Sequence, residues 1–393
     1  MNIYSKIQLH KGKEFSIQRK HPWIFSGAIK LKDNNIIDGD VVTVFSAGGD
    51  FLAAGHFQDG SISVRVLTYK QEEINTDFYF EKLKTALHYR TNINVANNNE
   101  TNVYRFIFGE ADGLPGLIID NYNQHFVIQC HSIGMHKHIQ LIGDALKRLF
   151  ENTIQTIYDK SAETLPKDYA SGIKNGFIFG SSSSTIVSEY GNEFIIDWVN
   201  GQKTGFFIDQ RENRKLLADY SKGKKVLNTF CYTGGFSIYA AKAGASAVHS
   251  VDVSKIAIEL TNKNAELNQL QNHSSSAVDT FDFLKTAGKD YDIIVLDPPA
   301  FAKSRKVSHN AVMGYKRLNA EAMKIIKPGG IIFTFSCSQV INRELFFNTI
   351  TSAAMEARRN VKILHYLSQP ADHPISLHFP EGEYLKGLVV YVE

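Results

Sequence analysis

The chain has 393 residues, too many for one ordinary hydrophobic core, so two or three domains are expected. Hydrophobic residues make up 43% and charged residues 21%, a globular composition, and the formal net charge of +3 excludes a polycation. The three scattered cysteines, Cys130, Cys231 and Cys337, offer no disulfide framework; with no apolar leader and no run of about 18 apolar residues, a cytoplasmic protein is expected.

Residues 1–35 set seven Lys/Arg against the acids Glu14 and Asp33, enough for a local basic face toward phosphates. Short strands follow at 39–45, 51–57 and 61–67, separated by Gly48-Gly49-Asp50 and Asp59-Gly60, and the last alternates polar and apolar residues. Residues 1–72 are therefore read as a small β-barrel. Residues 73–190 are read as a compact α+β domain. It has a helix over 77–92, a turn at Asp112-Gly113-Leu114-Pro115-Gly116, strands at 117–120 and 126–130, and a helix over 135–150.

From 191 to 393 strands and helices alternate. Strands are expected at 225–228, 247–252, 276–279, 293–297 and 331–335, with helices over 255–270 and 311–326 among the connections. This is the pattern of a doubly wound, Rossmann-like α/β domain with a parallel sheet. Ligands of such sheets sit beyond the carboxyl ends of the strands, and Asn228, Asp252, Asp279 and Asp297 are each expected to close one.

The turn after Asn228 reads Thr229-Phe230-Cys231-Tyr232-Thr233-Gly234-Gly235, whose glycines let a ligand approach the backbone. Asp252 follows Gly234 at the spacing of a ribose-binding acid. No G-x-G-x-x-G pyrophosphate loop is present, which favours S-adenosyl-L-methionine over a nicotinamide dinucleotide, and Asp279 could meet the adenine amino group. Lys203 to Arg211, with Lys203, Phe207 and Gln210, is read as a lid over the methionine end. Cofactor contacts are thus expected from Lys203, Phe207, Gln210, Asn228, Phe230, Tyr232, Gly234, Asp252, Asp279 and Asp297.

Asp297-Pro298-Pro299 is a stiff exit from the fourth strand, suited to gripping a planar base. Cys337, between Ser336 and Ser338, follows the fifth strand at the same edge. A core cysteine is the bland alternative. As a thiolate, Cys337 could add to carbon 6 of a pyrimidine and make carbon 5 nucleophilic, with Asp297 hydrogen bonding the base and helping to protonate nitrogen 3.

These motifs resemble, over nearly the whole chain, the bacterial methyltransferases with an N-terminal PUA domain that form 5-methylcytosine in large-subunit ribosomal RNA. His21-Pro22-Trp23-Ile24-Phe25-Ser26-Gly27-Ala28 looks like the opening of that RNA-binding barrel. Asp112-Gly113-Leu114-Pro115-Gly116 with Asp120, Lys203-Thr204-Gly205, Asp209-Gln210-Arg211, Asn228 to Phe236, Asp297-Pro298-Pro299, Ser336-Cys337-Ser338, Asp372-His373-Pro374 and Glu381 to Gly387 follow in the family's order. The resemblance implies that Cys337 is the nucleophile, that the four polar strand ends line the cofactor and base sites, and that ribosomal RNA is the partner. Arg19, Lys20 and Trp23 would contact RNA in the barrel, and Pro298 and Pro299 the flipped base. The other 5-methylcytosine group carries a second cysteine after the fourth-strand proline, whereas here Pro298 is followed by Pro299 and Ala300. Rival readings are an amino-group methyltransferase, which needs no thiol, and a non-catalytic assembly factor with a decayed fold. A homodimer is compatible with the sequence, no membrane partner is expected, and no metal ligand set is read.

Overall fold

The computed structural model describes residues 4–301 and 308–393. The chain forms two compact units. One holds the residues up to Val187 with Ile196–Phe206 and Ala371–Gly382; the other holds Ser188–Ile195, Phe207–Pro370 and Glu383–Glu393.

In the first unit, β1 (Ser5–Leu9), β2 (Trp23–Phe25), β3 (Ile29–Lys32), β4 (Val41–Phe45), β5 (Phe51–Phe57) and β6 (Ile62–Thr68) form one sheet, with the short helix α1 (Phe15–Gln18) beside it. The order is β2-β6-β5-β4-β1-β3, antiparallel except between β1 and β4. Ile7, Ile24, Val42, Phe57 and Val64, from five of these strands, share one buried cluster, so the sheet curls around its own core.

The rest of this unit places α2 (Thr76–Asn92) and two further helices on a five-stranded sheet. Its strands are β7 (Val103–Phe108), β8 (Leu117–Tyr122), β9 (His125–Cys130), β10 (Thr156–Asp159) and β11 (Gly176–Phe179), in the order β11-β10-β9-β8-β7. The helix expected over 135–150 is two helices, α3 (Ile133–Lys137) and α4 (Ile139–Phe150), and α5 (Lys167–Ala170) follows. The break is at His138, which leaves the helical region at φ −95° and ψ 9° while its Nδ1 meets the Tyr79 hydroxyl at 2.9 Å. The acids of the central motif are structural. Asp112 pairs bidentately with the fully buried Arg90, and Asp120 pairs with Arg105 while accepting from Thr204 Oγ1 at 2.6 Å. Asp372 joins them, accepting from the Arg105 amide at 2.9 Å.

A hairpin of β12 (Ser184–Glu189) and β13 (Asn192–Asp197) precedes the second unit's sheet. That unit runs α6 (Arg211–Ser221), β14 (Lys225–Thr229), α7 (Gly235–Lys242), β15 (Ala247–Asp252), α8 (Lys255–Leu267), β16 (His273–Ala277), α9 (Thr280–Thr286), β17 (Tyr291–Leu296), α10 (Ser308–Ile325), β18 (Ile326–Ser336), α11 (Arg343–Ala357), β19 (Val361–Leu367) and β20 (Lys386–Val392). The sheet order is β16-β15-β14-β17-β18-β20-β19, with β20 antiparallel to both neighbours.

Both faces of this sheet are covered. The pleat sends Val226, Ile293, Val295 and Phe333 toward α6 and α7, and Leu227, Ile294, Leu296 and Ile332 toward α10 and α11. This is a doubly wound α/β fold. Its order reverses between β14 and β17, opening a crevice beyond their carboxyl ends where such sheets take ligands.

Four expected strand ends move: β17 stops at Leu296, one residue before Asp297, and β18 runs to Ser336. β14 runs one residue past Asn228. β16 spans His273–Ala277 rather than 276–279, pairing Val248 with His273 and Asp252 with Ala277. The polar segment His273-Ser274-Ser275-Ser276 carries no apolar signal and forms the sheet's edge, where one side of the ladder stays unpaired. Among the described residues, no helix is long and apolar enough to cross a membrane.

Candidate active site

The crevice is built from the loops that follow β14, β15, β17 and β18. After β14 the backbone turns through three left-handed residues: Phe230 at φ 54°, Tyr232 at φ 47° and Gly234 at φ 80°. Such strain in non-glycine residues persists only where the surroundings impose it. Asp252 does so from the end of β15: Oδ2 accepts from the Tyr232 amide at 3.0 Å, and Oδ1 from the Ser254 amide at 2.9 Å. Thr261 secures the other side, donating to the Tyr232 carbonyl at 2.7 Å. A Cβ added to Gly234 would stand 2.7 Å from Thr261 Cγ2, so the loop needs glycine there for space as well as for φ.

The remaining expected cofactor residues fall into distinct places. Asn228 is 1% exposed and points into the layer under α7, donating from Nδ2 to Ser237 Oγ at 2.8 Å; Oδ1 has no partner among the described residues. Ser237 continues to Ser250 and His273. Asp279 does not end a strand. It caps α9, accepting from the amides of Phe281 at 2.8 Å and Asp282 at 3.2 Å. Phe207 packs edge-on to Tyr232 at 5.2 Å between ring centroids. Lys203 is exposed, at φ 53°, and belongs to the first unit, so the segment read as one lid is divided between units after Phe206.

Asp297 directly follows β17 and is half-buried. Gln210 hydrogen bonds to it, with Gln210 Oε1 itself taken by Asn213 Nδ2 at 2.6 Å. Burial, with the nearby Asp209 carboxylate, pushes Asp297 up to about 7, against the pull of Gln210 and Arg214. Asp209 also accepts from the Tyr384 hydroxyl at 2.6 Å. Pro298 is buried and Pro299 exposed, and Phe301 packs on Tyr315 at 4.7 Å.

Cys337 stands one residue past β18, at the same edge. All three cysteines are free, Cys130 and Cys231 are buried, and Cys337 is only partly so. Burial pushes its thiol up to about 11, the carboxylates of Asp297 and Asp209 push the same way, and Lys386 pulls it down. A resting thiolate is therefore scarce at neutral pH. The sequence reading missed Lys386, Tyr384 and Asp209 as parts of this site. Their motifs were visible, but nothing in the sequence brings the start of β20 to the carboxyl edge of β18; the antiparallel pairing of Ser336 with Lys386 does.

In the first unit, Arg19 and Lys20 are exposed, while Trp23 lies outside the barrel core. Its Nε1 donates to Glu110 Oε1 at 2.9 Å, and its ring meets Phe379 at 4.6 Å in a T-shaped contact.

Residues 167–388 match the family described as S-adenosylmethionine-dependent methyltransferases, and residues 7–69 match a PUA-like domain. A protein of Aeromonas hydrophila, ribosomal RNA large subunit methyltransferase I, is 41% identical over 98% of this chain and 99% of its own length. Its namesake in Photobacterium profundum is 38% identical over 99% of this chain and the whole of its own. The chain belongs to this family of S-adenosylmethionine-dependent methyltransferases with a PUA-like domain. Among solved structures, a candidate methyltransferase from Streptococcus mutans superposes with a TM-score of 0.82 at 24% identity, covering 98% of this chain and all of that one. A second, complexed with SAH, gives 0.83 at the same identity and the same coverage. Both share the fold. The family's cofactor is S-adenosyl-L-methionine, and the crevice fits it: a close-approach glycine at a strained turn, an acid at the end of β15, and a second acid capping α9 beyond β16. When bound, S-adenosyl-L-methionine supplies an electrophilic methyl group.

Proposed function

We propose that the chain methylates carbon 5 of a cytosine in large-subunit ribosomal RNA, with Cys337 as the covalent nucleophile. The observation that carries this reading is that Cys337, the least buried cysteine, and Asp297 follow the neighbouring parallel strands β18 and β17 at one edge of the sheet. The names of the full-length relatives support the RNA class, and the PUA-like match supports an RNA-binding role for the barrel. The division of labour is 1–72 for RNA binding, 73–190 as a central domain and 191–393 for methyl transfer. A ribosomal substrate puts this work in the cytoplasm.

Chemically, the Cys337 thiol loses its proton and its sulfur bonds to carbon 6 of the unstacked base. Asp297, protonated below about pH 7, gives its proton to nitrogen 3 as the ring becomes an enamine. Carbon 5 takes the methyl group. A base then removes the carbon 5 proton, the carbon–sulfur bond breaks, Cys337 leaves as thiolate, and the nitrogen 3 proton returns to Asp297. Pro298 and Pro299 hold the base edge, and Arg19, Lys20 and Trp23 contact the RNA. Asn228, Phe230, Tyr232, Gly234, Asp252 and Asp279 form the cofactor side, with Phe207 and Gln210 covering it.

Bisulfite sequencing of ribosomal RNA from cells with and without the gene tests the reading. One protected cytosine should become convertible when the gene is lost; unchanged conversion at every cytosine would refute it.

A further inference from the structure

We propose that Lys386 is a positioning residue for Cys337, a buried cation fixed on the Ser336-Cys337-Ser338 segment that favours the thiolate. Lys386 opens β20, and because that strand is antiparallel its first residue pairs with Ser336, the last residue of β18. The side chain is 4% exposed, and Nζ donates to the Ser338 carbonyl at 2.7 Å. Among the described residues it has no carboxylate partner. A buried ammonium without an ion pair is costly and rare. Here one hydrogen bond holds it against the residue after the nucleophile, and the charge is left to act on what forms beside it.

The surrounding charges explain why such a cation is needed. Asp297 after β17 and Asp209 before α6 both oppose a negative charge on Cys337, and burial opposes it further. Lys386 is the cation that acts the other way. Burial lowers the Lys386 ammonium to about 8, with Arg343 pulling down and Glu383 and Cys337 pushing up, so it remains mostly charged at neutral pH. Tyr315, which also faces the site, is pushed up to about 12 by burial and stays neutral there. The step assisted is deprotonation: hydroxide takes the thiol proton as water, and the thiolate forms beside an ammonium whose N–H bonds stay intact. When Cys337 leaves carbon 6, the same charge receives it.

This inference rests on Cys337 being the nucleophile, and its test reads the thiol rather than methylation. Iodoacetamide alkylation of Cys337 is followed by peptide mass spectrometry across pH 6–10 in the full chain. Lys386→Met should slow Cys337 labelling about tenfold between pH 6 and 7.5, and the difference should shrink as pH rises through about 8, where wild-type Lys386 loses its charge. Lys386→Arg, which keeps the charge, should restore most of the wild-type profile. A Lys386→Met profile superimposed on wild type, with circular dichroism unchanged, overturns the proposal. Where Met does not fold, Lys386→Gln keeps a donor for the Ser338 carbonyl and carries the same expectation. Nucleoside mass spectrometry of the wild-type product separates the two claims. A methyl on the exocyclic nitrogen would sink the carbon 5 reading whatever the alkylation profile, and a carbon 5 methyl with an unmoved profile would sink only the role of Lys386.

Discussion

Replacing Asp297 with Asn should stabilise the catalytic unit while removing its activity, and the stabilisation should grow with pH. Burial and Asp209 raise the Asp297 carboxyl from 3.8 to about 7. Below pH 4 both folded and unfolded chains carry the proton, and nothing is lost. Between about 4 and 7 the unfolded chain releases its proton while the folded one keeps it, so stability falls with rising pH and levels off above 7. At 1.36 kcal/mol per unit, a shift of about 3 units amounts to up to about 4 kcal/mol by pH 8. Asn is neutral throughout, and its side-chain oxygen can still accept from Gln210, so the variant escapes that loss. The assay is urea unfolding of both proteins at pH 4.5, 6 and 8, read by far-ultraviolet circular dichroism. Both tryptophans, Trp23 and Trp198, lie in the first unit, so fluorescence would track the wrong part of the chain. The stability difference between variant and wild type should widen by several kcal/mol from pH 4.5 to 8. A difference that is flat across that range would refute the raised Asp297 carboxyl. The activity lost alongside is the usual trade of a strained functional group against stability.

Four further substitutions probe the site and its supports. Cys337→Ala should reduce RNA methylation at least about a thousandfold, with cofactor binding by calorimetry retained. Gly234→Ala places a Cβ 2.7 Å from Thr261 Cγ2 at φ 80° and should weaken cofactor binding by about 2 kcal/mol or more in the same calorimetric titration. Glu189→Ala strands the buried Arg214, whose Nε and Nη2 each meet the carboxylate at 2.8 Å, and should cost about 3–5 kcal/mol in denaturant unfolding. Asp279→Ala removes the α9 cap and should cost about 1 kcal/mol of stability, seen as a fall in Tm of a few degrees.

The parallel core was legible because its strands are apolar runs that stop at polar residues. Ile293 to Leu296 is buried on both faces, and the change to Asp297 marks the crevice. The polar edge strand β16 has no such contrast, so its end was placed two residues late and Asp279 was read as a strand end instead of a helix cap. Asn228 was recognised as a special residue, but a sequence does not say which way a buried amide points, and its donor is spent on Ser237. The acids Asp112, Asp120 and Asp372 stood out as motif residues with no evident task. Asp112 and Asp120 neutralise Arg90 and Arg105 inside the first unit, Asp372 takes the Arg105 amide, and only the partners reveal this. Lys386 was hidden for a topological reason: Gly387 to Val392 reads as a strand from its composition, but its direction and neighbour decide that Lys386 starts beside Ser336.

On the proposed carbon 5 route, the electrostatics of the crevice answer to one thiol where related chemistry uses two. A nucleophile of high pKa attacks strongly but is rarely ionised and leaves poorly; one of low pKa is abundant and leaves well but attacks weakly. On that route, with Pro299 and Ala300 after Pro298 and no second cysteine to assist release, Cys337 would both add and depart, so neither extreme serves. Two acids alone would hold the thiol too high. Protonation of Asp297 removes one opposing charge when nitrogen 3 needs a donor, and a buried Lys386 offsets the other. Proton transfer to the base turns Asp297 back into an anion as the sulfur becomes neutral in its bond to carbon 6, so the two charges need not coexist. Thiolate and carboxylate thus alternate across one edge of the sheet, and the lysine keeps that edge near neutrality in both halves of the cycle.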